Sequence, residues 1–202
     1  MGTPTFQLSI VRGKTLEQPF LYAETGLQYK AITAQVSAAP LRLTVPEHGL
    51  PDNWPVRIQG VTTPTEFNTT DGTLTAWVVD PDTVELNTLD ASLWAVFVPS
   101  GHLVFQTPGN LVGWNVRMHI RDRIGGVVLL SLSSDLADGA DGIIEVDASA
   151  ACITLHLTAA QTSAITWKGG VYDVEAILPD GRVIGLIAPS AVTVKQEITV
   201  WA

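Results

Sequence analysis

The chain has a single cysteine, Cys152, among 202 residues. One thiol cannot close an internal disulfide, so the fold does not rely on an oxidising compartment. It stands in an apolar alternating run with Ala151, Ile153 and Leu155, and this reads as a small buried hydrophobe rather than a nucleophile. Charge is scarce as well. Asp, Glu, Lys and Arg make up 15 % of the chain, and acids outnumber bases 20 to 11. The resulting net charge of −9 argues against nucleic acid as a partner, because phosphate binding needs a basic patch. No apolar run approaches the length that spans a bilayer, so membrane insertion is not expected. No basic segment followed by an apolar one opens the chain, and a signal peptide is not expected either.

Catalytic and metal-binding signatures are also missing. His102, His119 and His156 show no ligand spacing with one another or with Cys152. His48 lies in the turn-rich stretch Pro46 to Asn53 and has no Ser or Cys nucleophile in a suitable local frame, nor is there a Gly-x-Ser-x-Gly. It reads as a cap for that loop. Asp135, Asp138, Asp141 and Asp147 surround a glycine loop without the alternate-residue spacing of a calcium loop, so a solvated turn is preferred. Asp173 and Glu175 sit two apart on one strand face. Acid–base work on a sugar is conceivable there, but pairing of Glu175 with an arginine face is the simpler expectation. Neither cofactor nor metal is expected, and the chain does not read as an enzyme.

Hydrophobic residues make up 46 % of the chain, with 17 glycines and 12 prolines as punctuation. That composition can build a core, and it favours strands and tight turns. The clearest element is Leu111 to Leu132. Trp114, Val116, Met118 and Ile120 alternate with Asn115, Arg117, His119 and Arg121, the pattern of a strand with one buried and one wet face. Asp122 to Gly126 supplies turn chemistry, and Val127 to Leu132 returns as an apolar strand. Such an arginine run is most often a solvated strand face. The other reading is a protein contact, which makes Arg117, Arg121 and Arg123, the one local basic cluster, a candidate interface.

Around this hairpin, Phe6, Leu8 and Ile10 begin an orphan strand that must find a later partner. From Tyr29 to about Phe105 come short strands at regular spacing: Ala31 to Val45, Trp54 to Val61, Leu74 to Val79, Thr83 to Leu86 and Ser92 to Val98. That spacing argues for a small barrel or sandwich. Later, Thr158 and Gln161 form a capping box that should start a helix of one or two turns. Pro179-Asp180-Gly181-Arg182 is a strong hairpin turn, after which Val183 to Ile187 and then Ala191 to Trp201 read as two further strands. Six tryptophans sit in or beside strands, where packing explains most of them. Trp201, at the end of the sequence, is the exception and is expected to anchor on a neighbouring subunit.

Two series of motifs resemble known domains. The first is Phe6-x-Leu-x-Ile-x-Arg12-Gly13, then Leu111-x-Gly113-Trp114-x-x-Arg117-x-x-Ile120-Arg121. It continues through Gly142-Ile-Ile, Thr158-x-x-Gln161-Thr162, Gly170-Val-Tyr172-Asp173-Val-Glu175 and Asp180-Gly181. This series resembles the immunoglobulin-like baseplate and tail domain of bacteriophages, the type found at the N-terminus of lactococcal upper baseplate proteins. In that pattern the parts follow closely, whereas here the series breaks after Gly13 and resumes at Leu111, which fits an insertion. The second series is Ala39-Pro40-x-x-Leu43-Thr44-Val45-x-x-His48-Gly49-Leu50, Val56-x-Ile58-x-Gly60-Val61, Glu66-Phe67-Asn68 and Val78-x-Asp80-x-Asp82-Thr83-x-Glu85-Leu86. It resembles the small β-barrel repeat of phage tail and fibre proteins, with Asp52-Asn53 where that repeat has glycine-aspartate.

The expected fold is therefore all-β, with one short helix. Residues 1–29 and 105–202 should form a discontinuous immunoglobulin-like β-sandwich, and residues 30–104 an inserted small β-barrel. The resemblance implies a structural component of the phage virion, made in the bacterial host cytoplasm. Its place would be the tail or baseplate, as an adaptor that docks on the tail and holds fibres or receptor-binding proteins. The implied partners are other tail proteins and copies of itself, in a trimer or sixfold ring. The alternative is a carbohydrate-binding module of the virion that touches the host surface.

Overall fold

The computed structural model describes residues 3–70 and 73–198. Its strands begin with β1 (Leu8–Val11), β2 (Leu16–Leu21), β3 (Ala23–Ala31), β4 (Ala34–Ala38), β5 (Leu41–Thr44), β6 (Trp54–Gln59), β7 (Leu74–Asp80), β8 (Thr83–Leu86) and β9 (His102–Pro108). They continue with β10 (Asn115–Arg121), β11 (Val128–Ser133), β12 (Gly142–Asp147) and β13 (Cys152–Leu157). The helix α1 (Ala159–Ala164) precedes β14 (Gly169–Ile177) and β15 (Val183–Lys195). The chain divides into two compact units. One is Met1–Leu21 with Asn110–Ala148 and Cys152–Ala202; the other is Tyr22–Gly109 with Ser149–Ala151. No helix among the described residues is long and apolar enough to cross a membrane.

The first unit is the sandwich. Its strands follow the order β1-β15-β14-β10-β11-β12-β13-β2. The joint between β11 and β12 is slight, a parallel pairing of two residues on each strand, Leu132 with Gly142 and Ser133 with Ile143. On either side of it lie five strands and three strands. Taken in chain order, β2, β10, β11, β12, β13, β14 and β15 occupy the places of immunoglobulin strands B, C, C′, D, E, F and G. β1 lies parallel to β15. The insertion falls between β2 and β10, the B–C connection.

Period-two alternation fills the sandwich core from both parts. β10 buries Val116, Met118 and Ile120, β13 buries Ile153, Leu155 and Leu157, and β14 buries Tyr172, Val174 and Ala176. The start of the chain is tied to strands far along it. Phe6 meets Phe20 of β2 edge to face, with ring centroids 5.0 Å apart. Its N–H donates to Ser190 Oγ at 3.1 Å, and the buried Tyr172 hydroxyl donates to its carbonyl at 2.7 Å. The capping box forms as the sequence specifies. Gln161 N–H donates to Thr158 Oγ1 at 3.2 Å, and Thr158 N–H donates to Gln161 Oε1 at 2.7 Å. Thr162 is fully buried and donates to Lys14 O at 2.8 Å, which fastens the helix to the β1–β2 turn. The Pro179–Arg182 turn closes with Leu178 N–H on Arg182 O at 2.9 Å, and Gly181 takes φ +84°.

The second unit is a nearly closed barrel of order β3-β9-β6-β7-β8-β5-β4. Leu41, Leu43, Trp54, Val56, Ile58, Phe67, Val84, Leu86, Leu103 and Phe105 form its core. Trp54 satisfies its indole N–H on Gln106 O at 2.9 Å, so the ring can be buried without an unpaired donor.

Three sequence expectations need correcting. The boundaries fall at 21/22 and 109/110, not 29/30 and 104/105, because β3 and β9 pair along their lengths inside the barrel. β3 buries almost nothing, so no apolar period announced it. Ser92 to Val98 is a loop and not a strand. Asp90 Oδ1 accepts from Ser92 N–H at 2.9 Å, and Trp94 N–H turns back to Ala91 O at 3.0 Å. Leu93 and Val96 are then 98 % and 87 % exposed, while Phe97 stacks on Phe67. Finally, Val183 to Lys195 is one strand that runs through Pro189, where two strands were expected.

Burial pushes the Tyr172 phenol up to about 12, against roughly 10 in an unfolded chain. A raised folded-state value means that the stability linked to this group is intact below about pH 10 and is lost as pH rises towards 12. Tyr172→Phe should lower stability by about 1–2 kcal/mol at neutral pH. It should also flatten the alkaline limb of the urea-unfolding profile, and an unchanged limb would show that the phenol is not held as described.

A candidate interface on the central hairpin

β10 and β11 form an antiparallel hairpin, with Arg117 opposite Ser133 and His119 opposite Ser131. The alternation that buries Val116, Met118 and Ile120 sends Arg117 and His119 to the exposed face and leaves Arg121 half-buried. β14 runs along the other side of β10, placing Glu175 opposite Arg117 and Asp173 opposite His119. The expected pairing of Glu175 thus meets Arg117 in register, with Arg121 facing Val171. Among the described residues, no ion pair joins Arg117 to Glu175. The strand face is an open, mixed-charge surface with shallow hollows. One of about 120 Å³ is lined by His119, Arg121, Ile124, Asp173 and Pro189.

The three arginines do not act as one cluster. Arg121 reaches across the turn and donates to Gly126 O at 2.7 Å, so it shapes the hairpin. Arg123 pairs with its neighbour Asp122 at 2.8 Å on an exposed tip, which leaves little net charge there. Arg117 stands alone at mid-strand. The tip also carries what the charge-centred reading missed. Ile124 is 77 % exposed, and Val127 and Val128 are exposed beside it. The signal was present in the sequence, as β-branched aliphatics on both sides of Gly125-Gly126 in a turn. An aliphatic tip rimmed by an ion pair has the anatomy of a contact patch, apolar at the centre and polar at the edge. Trp201 lies outside the described residues.

The other candidates resolve into structural roles. His48 is buried. Its Nδ1 accepts from Leu50 N–H at 3.0 Å and its Nε2 donates to Asp80 O at 2.9 Å. The tautomer follows from these partners, and the ring clamps its loop to the end of β7. Asp135 accepts from Ala137 N–H, Asp138 from Ser133 Oγ, and Asp141 from Ser131 N–H and Oγ. These carboxylates cap and brace the loop, and among the described residues no cluster suited to a metal ion occurs. Cys152 departs from the expectation of burial. Ile153, Leu155 and Leu157 take the inward phase of β13, which leaves Cys152 half-buried with Thr154 and His156 on the other face.

No protein-family model matches the chain, and no curated protein matches its sequence.

If His48 is a clamp, His48→Ala strips one buried acceptor and one donor, at a cost of about 2 kcal/mol or more. The loss should appear in chemical denaturation of the barrel. A change below about 0.5 kcal/mol, the size typical of a neutral surface substitution, would contradict the role.

Proposed function

We propose that this chain is a structural component of a bacteriophage tail, a baseplate or tail-fibre adaptor that works by presenting surfaces. The observation that carries the reading is the architecture. An immunoglobulin-type sandwich is interrupted between β2 and β10 by a barrel with its own core, and each unit contains one of the two motif series. Among the polar side chains that could have suggested chemistry, His48, Asp135, Asp138 and Asp141 serve as caps and clamps. The exposed hairpin tip of Arg123, Ile124 and Val127 supplies the sandwich with a docking patch for a neighbouring tail protein. The barrel, with Leu93 and Val96 on an exposed loop, then serves as spacer or platform for fibres or receptor-binding proteins.

One observation favours a second reading, a carbohydrate-binding module on the virion surface. Trp77 is 43 % exposed on β7, and cross-strand pairing puts it in one row with Glu85 and Arg42. Those two form an ion pair at 2.5 Å. An indole face with a carboxylate and a guanidinium beside it can stack a pyranose and hold its hydroxyls.

Antibody labelling of intact particles in electron micrographs should place the protein at the tail. Ile124→Asp combined with Arg123→Glu should reduce its incorporation at least about tenfold, the equivalent of one lost contact of ~1.4 kcal/mol, without altering its unfolding. Particles that lack the protein altogether would contradict the reading. Glycan-array binding abolished by Trp77→Ala, with incorporation unaffected by the tip variants, would favour the second reading.

A further inference from the structure

The slight joint between β11 and β12 leaves an opening in the sandwich. β12 pairs with β11 only at Leu132 and Ser133, so Leu129 to Ser131 have no described strand beside them on that side. The loop after β11 and the end of α1 wall the space instead. Asp141 Oδ2 accepts from Ser131 N–H at 2.8 Å and from Ser131 Oγ at 3.1 Å, and Gln161 Nε2 donates to Asp141 O. The result is a cavity of about 280 Å³, lined by Leu129, Leu130 and Ile165 together with Asp141, Thr166 and Trp167. Leu130 and Ile165 are buried and Trp167 is half-buried. The capping box and Thr162 already fix the helix, so the wall is set before any ligand arrives.

Three polar groups of the lining residues have no partner among the described residues. They are the Trp167 indole N–H, the Thr166 hydroxyl and Asp141 Oδ1. The first only donates, the last only accepts, and the hydroxyl does both. No Lys or Arg is among the lining residues, so an anion would meet the Asp141 carboxylate with nothing to offset it. A purely apolar ligand would take water from all three groups and return no bond, which is costly. A cation would serve Asp141 and leave the indole N–H without an acceptor. Hydroxyl groups donate and accept, so a hydroxylated ligand can serve all three while its C–H face rests on the indole and the aliphatic side chains. We propose that this cavity binds one neutral pyranose ring of a saccharide. Trp167 is the stacking face, and Asp141 accepts from the sugar hydroxyls. The volume lies just below the roughly 300–1,000 Å³ of pockets for larger ligands, which suits a single ring. The inference does not depend on the tail reading, and it is separate from the Trp77 row, which belongs to the barrel.

Titration of the intact protein with methyl glucoside, methyl mannoside, methyl galactoside and N-acetylglucosamine tests it, followed by tryptophan fluorescence and saturation-transfer NMR. At least one of these should bind with a Kd of about 1 mM, the strength that a ligand of about a dozen atoms reaches at ordinary efficiency. Trp167→Ala, which removes the stacking face, and Ala164→Trp, which fills the space, should each weaken binding at least about tenfold. Asp141→Asn keeps an acceptor for Ser131 and removes the charge, so it should weaken binding about tenfold as well. Trp77→Ala should bind as the wild type does. Ala164 is an exposed lining residue, so its variant should unfold at the wild-type temperature and separates a blocked site from a damaged fold. A wild type that binds none of the sugars, binding that survives Ala164→Trp, binding lost in Trp77→Ala, or a site that takes choline in preference to every sugar would each overturn the proposal.

Discussion

The sandwich depends on one long-range contact, the parallel pairing of β1 with β15. Leu8 lies opposite Val192 and Ile10 opposite Val194. The bond from Phe6 N–H to Ser190 spans 184 residues. No nearer strand takes β1. Without that partner Leu8 and Ile10, both buried, would lie exposed, at a cost of about 1.5–3 kcal/mol each. Closing so long a loop is less costly than its length suggests, because the entropic term grows only with the logarithm of length. The kinetic consequence is larger, since contacts this distant in sequence slow folding. A barrel that folds on local hairpins such as β4–β5 and β7–β8 would shorten the effective loop before β1 meets β15.

That order gives the insertion a physical logic. Its two ends are bonded to each other, with Gly109 N–H on Tyr22 O at 2.9 Å, so it leaves and re-enters the chain at one place. The barrel has its own apolar core and satisfies its buried polar groups internally, Trp54 on Gln106 and His48 on Asp80. The surfaces left over are tips and rows. The β10–β11 tip and the Trp77 row each carry exposed apolar groups beside fixed charges. A protein of low charge density that works through contacts has this kind of inventory.

Much of the fold was legible because alternation and turn chemistry agreed. Val116, Met118 and Ile120 marked β10, Thr158 with Gln161 marked α1, and Asp180-Gly181 marked the β14–β15 turn. What stayed hidden lacked a local signal. β3 is held by backbone pairing to β9 and shows no apolar period. Trp94, Val96 and Val98 alternate like a strand, yet the turn at Ala91–Trp94 bends that segment so that Phe97 points inward instead. The candidate site was half legible. Arg117, Arg121 and Arg123 were visible as charge. Whether each was free or tied depended on where the turn carbonyl of Gly126 and the Asp122 carboxylate came to lie, which spacing alone does not fix.

The central claim is that strands on both sides of an inserted, separately cored unit build one cooperative sandwich. Calorimetry of the whole protein with single core truncations tests it most directly. Ile10→Ala and Val174→Ala, one on each side of the insertion, should lower the same unfolding transition, each by about 2–4 kcal/mol of stability. Leu43→Ala should lower a different transition and leave that one in place. If Ile10→Ala moved the transition that responds to Leu43→Ala, or failed to move the one that responds to Val174→Ala, the account would be wrong.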